Sequence, residues 1–458
     1  MSKKVFFTTF KTSGAENLLA KLHRLMKTAG FETIDFTEKY AAIKIHFGEY
    51  GNLAFLRPNY AKVVADYVKQ LGGKPFLTDC NTLYVGSRKN ALDHLDTAYV
   101  NGFSPLQTGC HVIIGDGLKG TDETLVPIDL EYVKEAKIGQ AVMDADVFIS
   151  LTHFKGHEMA GFGGAIKNIG MGCGSRAGKM EMHCEGKPSV DLSKCIGCGA
   201  CDRICAHQGP EISNGKAVIN HDKCVGCGRC LAVCPKDAIA AGFSGSIKAL
   251  NCKMAEYAMA VCKDRPCFHI SLICDVSPNC DCHAENDIPI IPNVGMLASF
   301  DPVALDQACA DLCNQMPITS GSILADQMKA QQEGMKCCHH DASQTDSECC
   351  HHDASQTDSE CCHHDASQTD SECCHHDASQ TDSECCHHDA SQTDSECCHH
   401  DAFATGDACA SSARGVHAHT SAGTDHFKMT HPDTEWQSCL EHAQKIGLGS
   451  REYELVRI

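Results

Sequence analysis

The stretch ADVFISLTHFKGHEMAGFGGAIKNIGMG (145–172) decides the fold of this chain. It begins with a largely apolar run, typical of a buried strand, and continues through a glycine-rich turn into a helix-like segment. Further strand-like runs lie at 5–10, 41–48, 74–79, 111–117 and 267–275, an extended apolar segment at 288–295, and helix-like segments at 14–30, 59–71, 302–313 and 435–446. This alternation predicts an α/β fold with a mostly parallel sheet and helices on both faces.

Two insertions interrupt the predicted α/β domain. We expect its first part at 1–188, its second part at 244–330, and a C-terminal helix and strand at 426–458 that complete it. The first insertion, 189–243, is rich in cysteine, and the second, 331–425, contains a repeat.

Eight cysteines between positions 195 and 234 form two successive C-x2-C-x2-C-x3-C runs. In bacterial two-cluster ferredoxins the last cysteine of each such run ligates the cluster of the other run. The spacing therefore predicts a ferredoxin-like module with two 4Fe–4S clusters. The predicted ligands are Cys195, Cys198, Cys201 and Cys234 for cluster one, and Cys224, Cys227, Cys230 and Cys205 for cluster two. A pair of zinc ribbons is the alternative, but zinc ribbons need two well-separated C-x2-C pairs.

The repeat consists of five copies of CCHHDASQTDSE followed by CCHHDA, at 337–402. It has no aromatic residue and too few apolar residues for a core, so we expect disorder in the metal-free chain. Each copy offers thiols, imidazoles and a carboxylate, which suit a soft divalent metal such as zinc, nickel or copper. The first copy supplies Cys337, Cys338, His339 and His340. The alternative is a neutral repeat expansion with incidental metal affinity.

Charge and hydropathy exclude two classes of partner. The 458 residues carry a formal net charge of −20, but 337–402 contains sixteen acidic side chains and no Lys or Arg, which leaves about −4 elsewhere. This charge gives no reason to expect nucleic-acid binding. There is no apolar run of about 18 residues and no signal-like N-terminal segment. We therefore expect a cytoplasmic protein without membrane insertion.

Polar side chains follow several predicted strands. His46 and Asp79 end the strands at 41–48 and 74–79, and His153, His157 and Lys167 lie in the glycine-rich segment after 145–152. That turn should offer unpaired N–H groups and the positive end of a helix to a small anionic ligand. We predict His153 and His157 as acid–base groups or metal ligands, Lys167 as an anion-binding group, and Asp79 and His46 opposite them. A structural turn with backbone-capping histidines is the alternative.

A second short motif, DVSPNCDC (275–282), follows another predicted strand. Cys280 and Cys282 either hold a metal or support the cluster module, or they belong to a tight turn, because Ser-Pro-Asn strongly favours one.

Several of these segments resemble one known family. HFGEYGN (46–52), TDCNTLYVGSR (78–88), 152–179, DVSPNCDC and ASFDPVALDQACADL (298–312) are similar to the domain-of-unknown-function 362 family, and the ending 431–458 is similar to its ferredoxin-containing subgroup. The resemblance covers most of the chain outside the repeat. It implies a cytoplasmic iron–sulfur protein of an anaerobe, with no agreed substrate.

These features support two main functional hypotheses. The first is electron transfer from two 4Fe–4S clusters to a redox partner or a small anionic ligand at the α/β domain, as a possible oxidoreductase or as a plain carrier. The second is a metal- or cofactor-handling protein whose clusters supply electrons and whose repeat gathers metal.

Overall fold

The computed structural model describes residues 3–83, 86–184, 187–241, 246–336 and 424–458. The repeat at 337–402, with Cys337, Cys338, His339 and His340, lies outside the described residues, so its predicted metal binding stays a prediction. The compact unit that carries the sheet comprises Met1–Gly334 and Gly415–Ile458.

Strands and helices alternate over much of this unit. The strands are β1 (Lys3–Thr9), β2 (Tyr40–Lys44), β3 (Lys74–Asp79), β4 (His111–Ile114), β5 (Glu123–Pro127), β6 (Glu135–Gly139), β7 (Val147–His153), β8 (Lys155–His157), β9 (Gly161–Gly163), β10 (Pro188–Val190), β11 (Pro210–Ser213), β12 (Lys216–Ile219), β13 (Ile239–Ala241), β14 (Cys267–Ile273), β15 (Gly295–Ser299) and β16 (Tyr453–Arg457). The α-helices are α1 (Leu18–Thr28), α2 (Pro58–Gln70), α3 (Ala91–Val100), α4 (Pro105–Thr108), α5 (Gln140–Met143), α6 (Ala165–Cys173), α7 (Arg176–Cys184), α8 (Ala200–Ile204), α9 (Arg229–Val233), α10 (Ile247–Cys262), α11 (Pro302–Asn314), α12 (Ile323–Lys336), α13 (His426–Thr430) and α14 (Trp436–Lys445).

Eight strands form the main sheet in the order β16-β1-β15-β14-β7-β2-β3-β4. Neighbouring strands run parallel except at β15, which is antiparallel to both β1 and β14. The predicted α/β fold with a large, mostly parallel sheet is therefore confirmed. Strands from both sides of the cysteine-rich segment, together with the C-terminal strand β16, share this one sheet.

Each face of the sheet contributes to a separate hydrophobic core. In β7, Val147, Ile149 and Leu151 belong to one core and Phe148 to the other. This alternation follows from the two-residue period of a strand, and because both faces are buried the strand reads as a continuous apolar run. Helices α1 and α2 cover the first face, and α6, α10 and α11 cover the second.

Two predicted boundaries differ from the structure. The extended apolar segment 288–295 leads into a short strand, β15, which begins at Gly295 and continues to Ser299. Pro289 and Pro292 cannot donate a backbone hydrogen bond to a sheet, so pairing starts after them. The predicted helix at 14–30 is shorter, because the side chain of Asn17 accepts from the amides of Leu19 and Ala20 and starts the helix at Leu18.

Residues 187–241 form a small group of strands and helices, which we call the cysteine module. It contains two two-stranded ribbons, β10–β13 and β11–β12, and the short helices α8 and α9. Its core includes Cys195, Cys201 and Cys230, together with Leu83 and Met180 from outside the module. Within the described ranges, every helix is too short or too polar to cross a bilayer.

Candidate functional site: a cationic cavity beside the cysteine module

A cavity of about 780 Å³ lies at the carboxyl ends of β2, β3 and β7. In parallel sheets this edge is where ligands usually bind. Among the described residues that line it, the cationic side chains are Lys44, Arg88, Lys155, Lys167 and Lys179, and the carboxylate is Asp79. The excess of positive charge in a partly enclosed space favours an anionic ligand.

Lys44 and Asp79 form a buried ion pair on adjacent strands. Lys44 Nζ lies 3.0 Å from Asp79 Oδ1 and donates to Asn168 Oδ1 at 2.8 Å. Both charged side chains are almost inaccessible to water. Although burial opposes ionisation, Lys44, followed by His94 and Arg88, holds the pKa of Asp79 below its ordinary value. Asp79 therefore lines the cavity as a carboxylate that is already paired, which makes it a poor proton acceptor.

His46 lies close to Asp79, as the sequence predicted for two neighbouring strand ends. Arg88 links them, with Nη1 3.1 Å from His46 Nε2 and 3.8 Å from Asp79 Oδ2. Gly48 donates its amide to His46 Nδ1 at 3.0 Å. Burial, reinforced by Arg88 and the nearby lysines, keeps the pKa of His46 well below its usual value. His46 is thus a neutral ring at the base of the cavity.

His153 lies behind the cavity wall. Its Nδ1 is 2.9 Å from Asp281 Oδ2, and its Nε2 is 2.7 Å from the carbonyl oxygen of Cys274. Asp281 also pairs with Lys155, whose Nζ is 3.2 Å away. Burial opposes the charge on Asp281, but His153 and Lys155 lower its pKa below the ordinary value. These contacts favour a positioning role for His153, and its predicted catalytic role stays a prediction.

His157, Lys167, Cys280 and Cys282 gather on one wall of the cavity. His157 Nδ1 accepts from the amides of Met159 and Ala160, so in the neutral ring the proton is on Nε2. Lys167 Nζ lies 3.7 Å from Cys280 Sγ. The pKa of the Cys280 thiol lies well below its usual value, mainly because of a hydrogen bond with Cys282. Lys167 and His157 lower this pKa further, whereas burial raises it. The structure thus joins the two predicted motifs, 152–172 and 275–282.

The prediction of a free helix N-terminus for an external anion is wrong. The carboxylate of Asp306, from α11, accepts from the amides of Ala165 and Ile166 at 2.6 and 2.9 Å. Asp306 thus takes the place at the start of α6 where we had expected the free amides to bind an external anion. Burial raises the pKa of Asp306 to about 7, although these two amides act in the opposite direction. The positive charge that lines the cavity therefore belongs to the side chains of its lysines and Arg88.

Lys44 and Arg88 are two site residues that the sequence pattern did not predict. For Lys44 a signal existed, since a lysine inside the apolar strand AAIKIHFG must be paired when it is buried. Arg88 gave no comparable signal, because it reaches Glu49 (2.9 Å) and His46 only through the tertiary fold.

The cysteine module brings together cysteines from both runs. A cavity of about 330 Å³ is lined by the four cysteines predicted for cluster one, Cys195, Cys198, Cys201 and Cys234. The first three come from one run and Cys234 from the other. Backbone amides also point at sulfur, since Ala217 donates to Cys195 Sγ and Ala238 to Cys234 Sγ, each at 3.2 Å.

The two runs adopt the same local conformation. Gly197 and Gly199 in the first run have φ values of 67° and 70°, and Gly226 and Gly228 in the second have 73° and 68°. Glycine adopts these left-handed values without strain, so both loops can make the same tight turn between their cysteines. In the predicted set for cluster two, Cys205 Sγ accepts from the amide of Gly209 at 3.4 Å, as Cys234 does from Ala238.

Helix α7 separates the cysteine module from the cationic cavity and contacts both. Met180 packs in the core of the module, whereas Lys179 and His183 line the cavity. Leu83 also belongs to the module core and to the cavity wall. At Gly228 a Cβ atom would come within 2.8 Å of Arg176 Cγ, so the second cysteine run packs directly on α7. The module and the cavity are therefore one helix apart.

Comparison with known proteins identifies a family and distant relatives. The family model "Domain of unknown function (DUF362)" matches residues 41–311. The chain is 28% identical over 169 residues to the thylakoid-associated protein sll1697 of Synechocystis sp., which covers 35% of this chain and 49% of that protein. The chain thus spans about half the length of this curated relative.

Two solved structures show weaker likeness. A Thermotoga maritima protein, a structural genomics target, is 11% identical with a TM-score of 0.36, covering 65% of this chain and 58% of its own. The lactate racemase apoprotein of Thermoanaerobacterium thermosaccharolyticum is 11% identical with a TM-score of 0.27, covering 59% and 51%. At these TM-scores neither likeness indicates a shared fold or activity.

Proposed function

Because the chain belongs to the DUF362 family, whose description names no reaction, we propose a function from the site itself. The protein is an iron–sulfur electron-transfer protein with two 4Fe–4S clusters in the cysteine module, and it delivers electrons to an anionic ligand in the cationic cavity. This places it in a subgroup of the family that carries a ferredoxin-type insertion. In a variant of this proposal, the protein is an electron carrier, and a partner protein that docks at the same cavity accepts the electrons.

The donor set of the cysteine module fits such clusters. The cavity beside Cys195, Cys198, Cys201 and Cys234 combines three thiols of one run with the last thiol of the other, which is the crossed pattern of two-cluster ferredoxins. Amide groups directed at sulfur favour thiolates, and hydrogen bonds of this kind tune cluster potentials. When bound, 4Fe–4S clusters supply single electrons at potentials between roughly −700 and +450 mV.

The position of α7 is the observation that carries the proposal. A single helix presents Met180 to the core that contains Cys201 and Cys230, and Lys179 and His183 to the cavity. An electron source in the module would therefore lie close to a ligand in the cavity, with only packed protein between them.

The side chains of the cavity suit a ligand that is both anionic and reducible. Lys167 and Lys179 add positive charge that the ion pair of Lys44 with Asp79 does not neutralise. His157 lines the same cavity with a protonated Nε2, so it is placed to donate a proton as the ligand gains an electron.

The need of the clusters for reduced cysteine thiols also indicates where the protein works. We propose that the protein works in the cytoplasm, where thiols stay reduced. Cluster ligands are thiolates, so the eight cysteines of the two runs must stay reduced for the clusters to form.

The first experiment is an analysis of iron, acid-labile sulfide and zinc after anaerobic purification, with an electron paramagnetic resonance spectrum of the reduced protein. We expect about eight irons and eight sulfides per chain, as two 4Fe–4S clusters require. Cys230→Ser should lower both numbers, whereas Cys252→Ser, at a buried cysteine of α10, should not. Zinc without sulfide in the module would contradict the proposal.

The second experiment tests the cavity, with inorganic phosphate, sulfate and oxalate as probes. We expect at least one of these anions to bind and to shift the resonance spectrum of the reduced clusters. Lys167→Met should weaken this binding at least tenfold with unchanged iron content, whereas Lys62→Met, at an exposed lysine of α2, should leave it unchanged. Equal binding by both variants, or no effect of any anion on the spectrum, would argue against the cavity as the acceptor site.

A further inference from the structure

Three potential metal ligands meet beside the cavity without taking part in the proposed function. One ligand atom each from Glu158, Cys282 and His283 lies within 4.8 Å of the other two. Glu158 follows β8, and the two other residues end the 275–283 segment, so sequence spacing does not bring them together. Cys282 also lines the cationic cavity.

The carboxylate of Glu158 is only partly satisfied by hydrogen bonds within the described residues. Its Oε1 lies 3.2 Å from His283 Nε2 and 3.7 Å from His157 Nε2. Its Oε2 is buried, and within the described part of the chain it has no hydrogen-bond partner. A buried carboxylate oxygen without a partner is costly, and cation binding is a common way to satisfy it.

The turn at 280–283 holds its side chains in a fixed arrangement. His283 donates its amide to the carbonyl of Cys280 at 3.0 Å, and Cys282 donates its amide to Cys280 Sγ at 3.4 Å. The turn is anchored from outside, because Glu49 donates its amide to the carbonyl of Asp281 at 2.9 Å and Asn52 Nδ2 donates to that of His283 at 3.0 Å. Little ordering would therefore be needed when a cation binds.

The exposed carboxylate of Glu285 lies near the other ring nitrogen of His283. Its Oε1 lies 3.6 Å from His283 Nδ1, while His283 Nε2 faces Glu158. In protein metal sites a ligating histidine usually donates its second ring N–H to such a carboxylate, which fixes the ring and its tautomer.

We propose that Glu158, Cys282 and His283 bind one zinc ion, with Glu285 orienting His283. The mixed sulfur, nitrogen and oxygen donors suit zinc, whereas magnesium and calcium prefer oxygen alone. The carboxylate and the thiolate together balance the charge of a divalent ion. Three protein ligands leave a fourth position, as in catalytic zinc sites, and Cys282 places the ion at the wall of the cavity. The site depends neither on the clusters nor on the repeat.

The test uses a chain from which 337–402 has been deleted, because the repeat would add competing thiols and imidazoles. The compact unit that carries the sheet comprises Met1–Gly334 and Gly415–Ile458, so the deletion removes no residue of that unit. After anaerobic loading and dialysis, we expect about one tightly bound zinc per chain, with sulfur and nitrogen or oxygen neighbours in zinc-edge X-ray absorption.

Matched variants decide the outcome. Cys282→Ser and Glu158→Gln should each weaken zinc binding at least tenfold, and Glu285→Gln should weaken it by about 10- to 100-fold as a group that orients a ligand. Cys252→Ser should bind zinc like the parent. Unchanged zinc in Cys282→Ser, with unchanged iron and sulfide, would overturn the proposal. If Cys282→Ser loses iron because it misfolds, His283→Ala, at a half-buried position, provides the decisive measurement in its place.

Discussion

The buried pair of Lys44 and Asp79 predicts a large, pH-dependent effect of Lys44→Met. At 3.0 Å and an effective dielectric constant of about 20, the attraction between the two charges is about 5.5 kcal/mol. Removing one partner of a buried pair typically costs about 3–5 kcal/mol, because the other charge stays buried. Arg88, 3.8 Å from the other carboxylate oxygen, compensates part of this. We therefore expect a loss of about 3 kcal/mol in the free energy of unfolding at pH 8.

The sign of the pH dependence follows from the pKa of Asp79. In the parent protein that pKa lies below the ordinary value of 3.8, so the pair stabilises the fold above pH 4 and loses this effect as the pH falls through the lowered pKa. In Lys44→Met, burial without Lys44 raises the pKa of Asp79. Ionising that carboxyl then destabilises the fold increasingly as the pH rises above the ordinary value. The stabilisation in the parent protein is complete at both pH values, so the raised pKa of Asp79 in the variant alone makes the penalty smaller at pH 5.5 than at pH 8.

Pulse proteolysis in urea, under anaerobic conditions at both pH values, measures this penalty. Asp79→Asn in the Lys44→Met background should recover most of the lost stability, because no uncompensated charge remains. Lys62→Met breaks the exposed pair of Lys62 with Asp66 and should cost less than about 1 kcal/mol at either pH. A penalty that is equal at pH 5.5 and 8, or that Asp79→Asn does not relieve, would refute the reasoning.

Two further predictions concern the packing around the site. Gly228→Ala combines a left-handed φ with a Cβ atom 2.8 Å from Arg176 Cγ. We therefore expect iron loss to a chelator to be at least tenfold faster than in Gly215→Ala, where φ is 72° and no atom of the described residues lies within 4 Å of the added Cβ. Equal rates would mean that the module does not depend on α7. Asp306→Ala leaves two buried amides at the start of α6 without an acceptor, which should cost about 1–3 kcal/mol. Formate, but not chloride, should restore part of the melting temperature, and equal stabilisation of the parent by formate would contradict this.

Local sequence predicted those strands and helices whose residues are buried in a regular pattern along the whole element. The run at 145–152 forms β7 because a strand buried on both faces needs apolar residues at nearly every position. The short strand β15 was missed, since five residues next to a proline-rich segment carry too little pattern to identify them.

The sequence by itself predicted the cysteine ligand set and determined the residue types at the strand ends, because both depend on spacing over a few residues. Only the tertiary structure decided which groups are still available to a ligand. It paired Asp79 with Lys44, capped α6 with Asp306, and left Glu158 Oε2, beside His283, without a hydrogen-bond partner among the described residues. These outcomes depend on contacts between residues 35 to 141 positions apart, and the free energy of a buried charge depends on such neighbours rather than on its own sequence context.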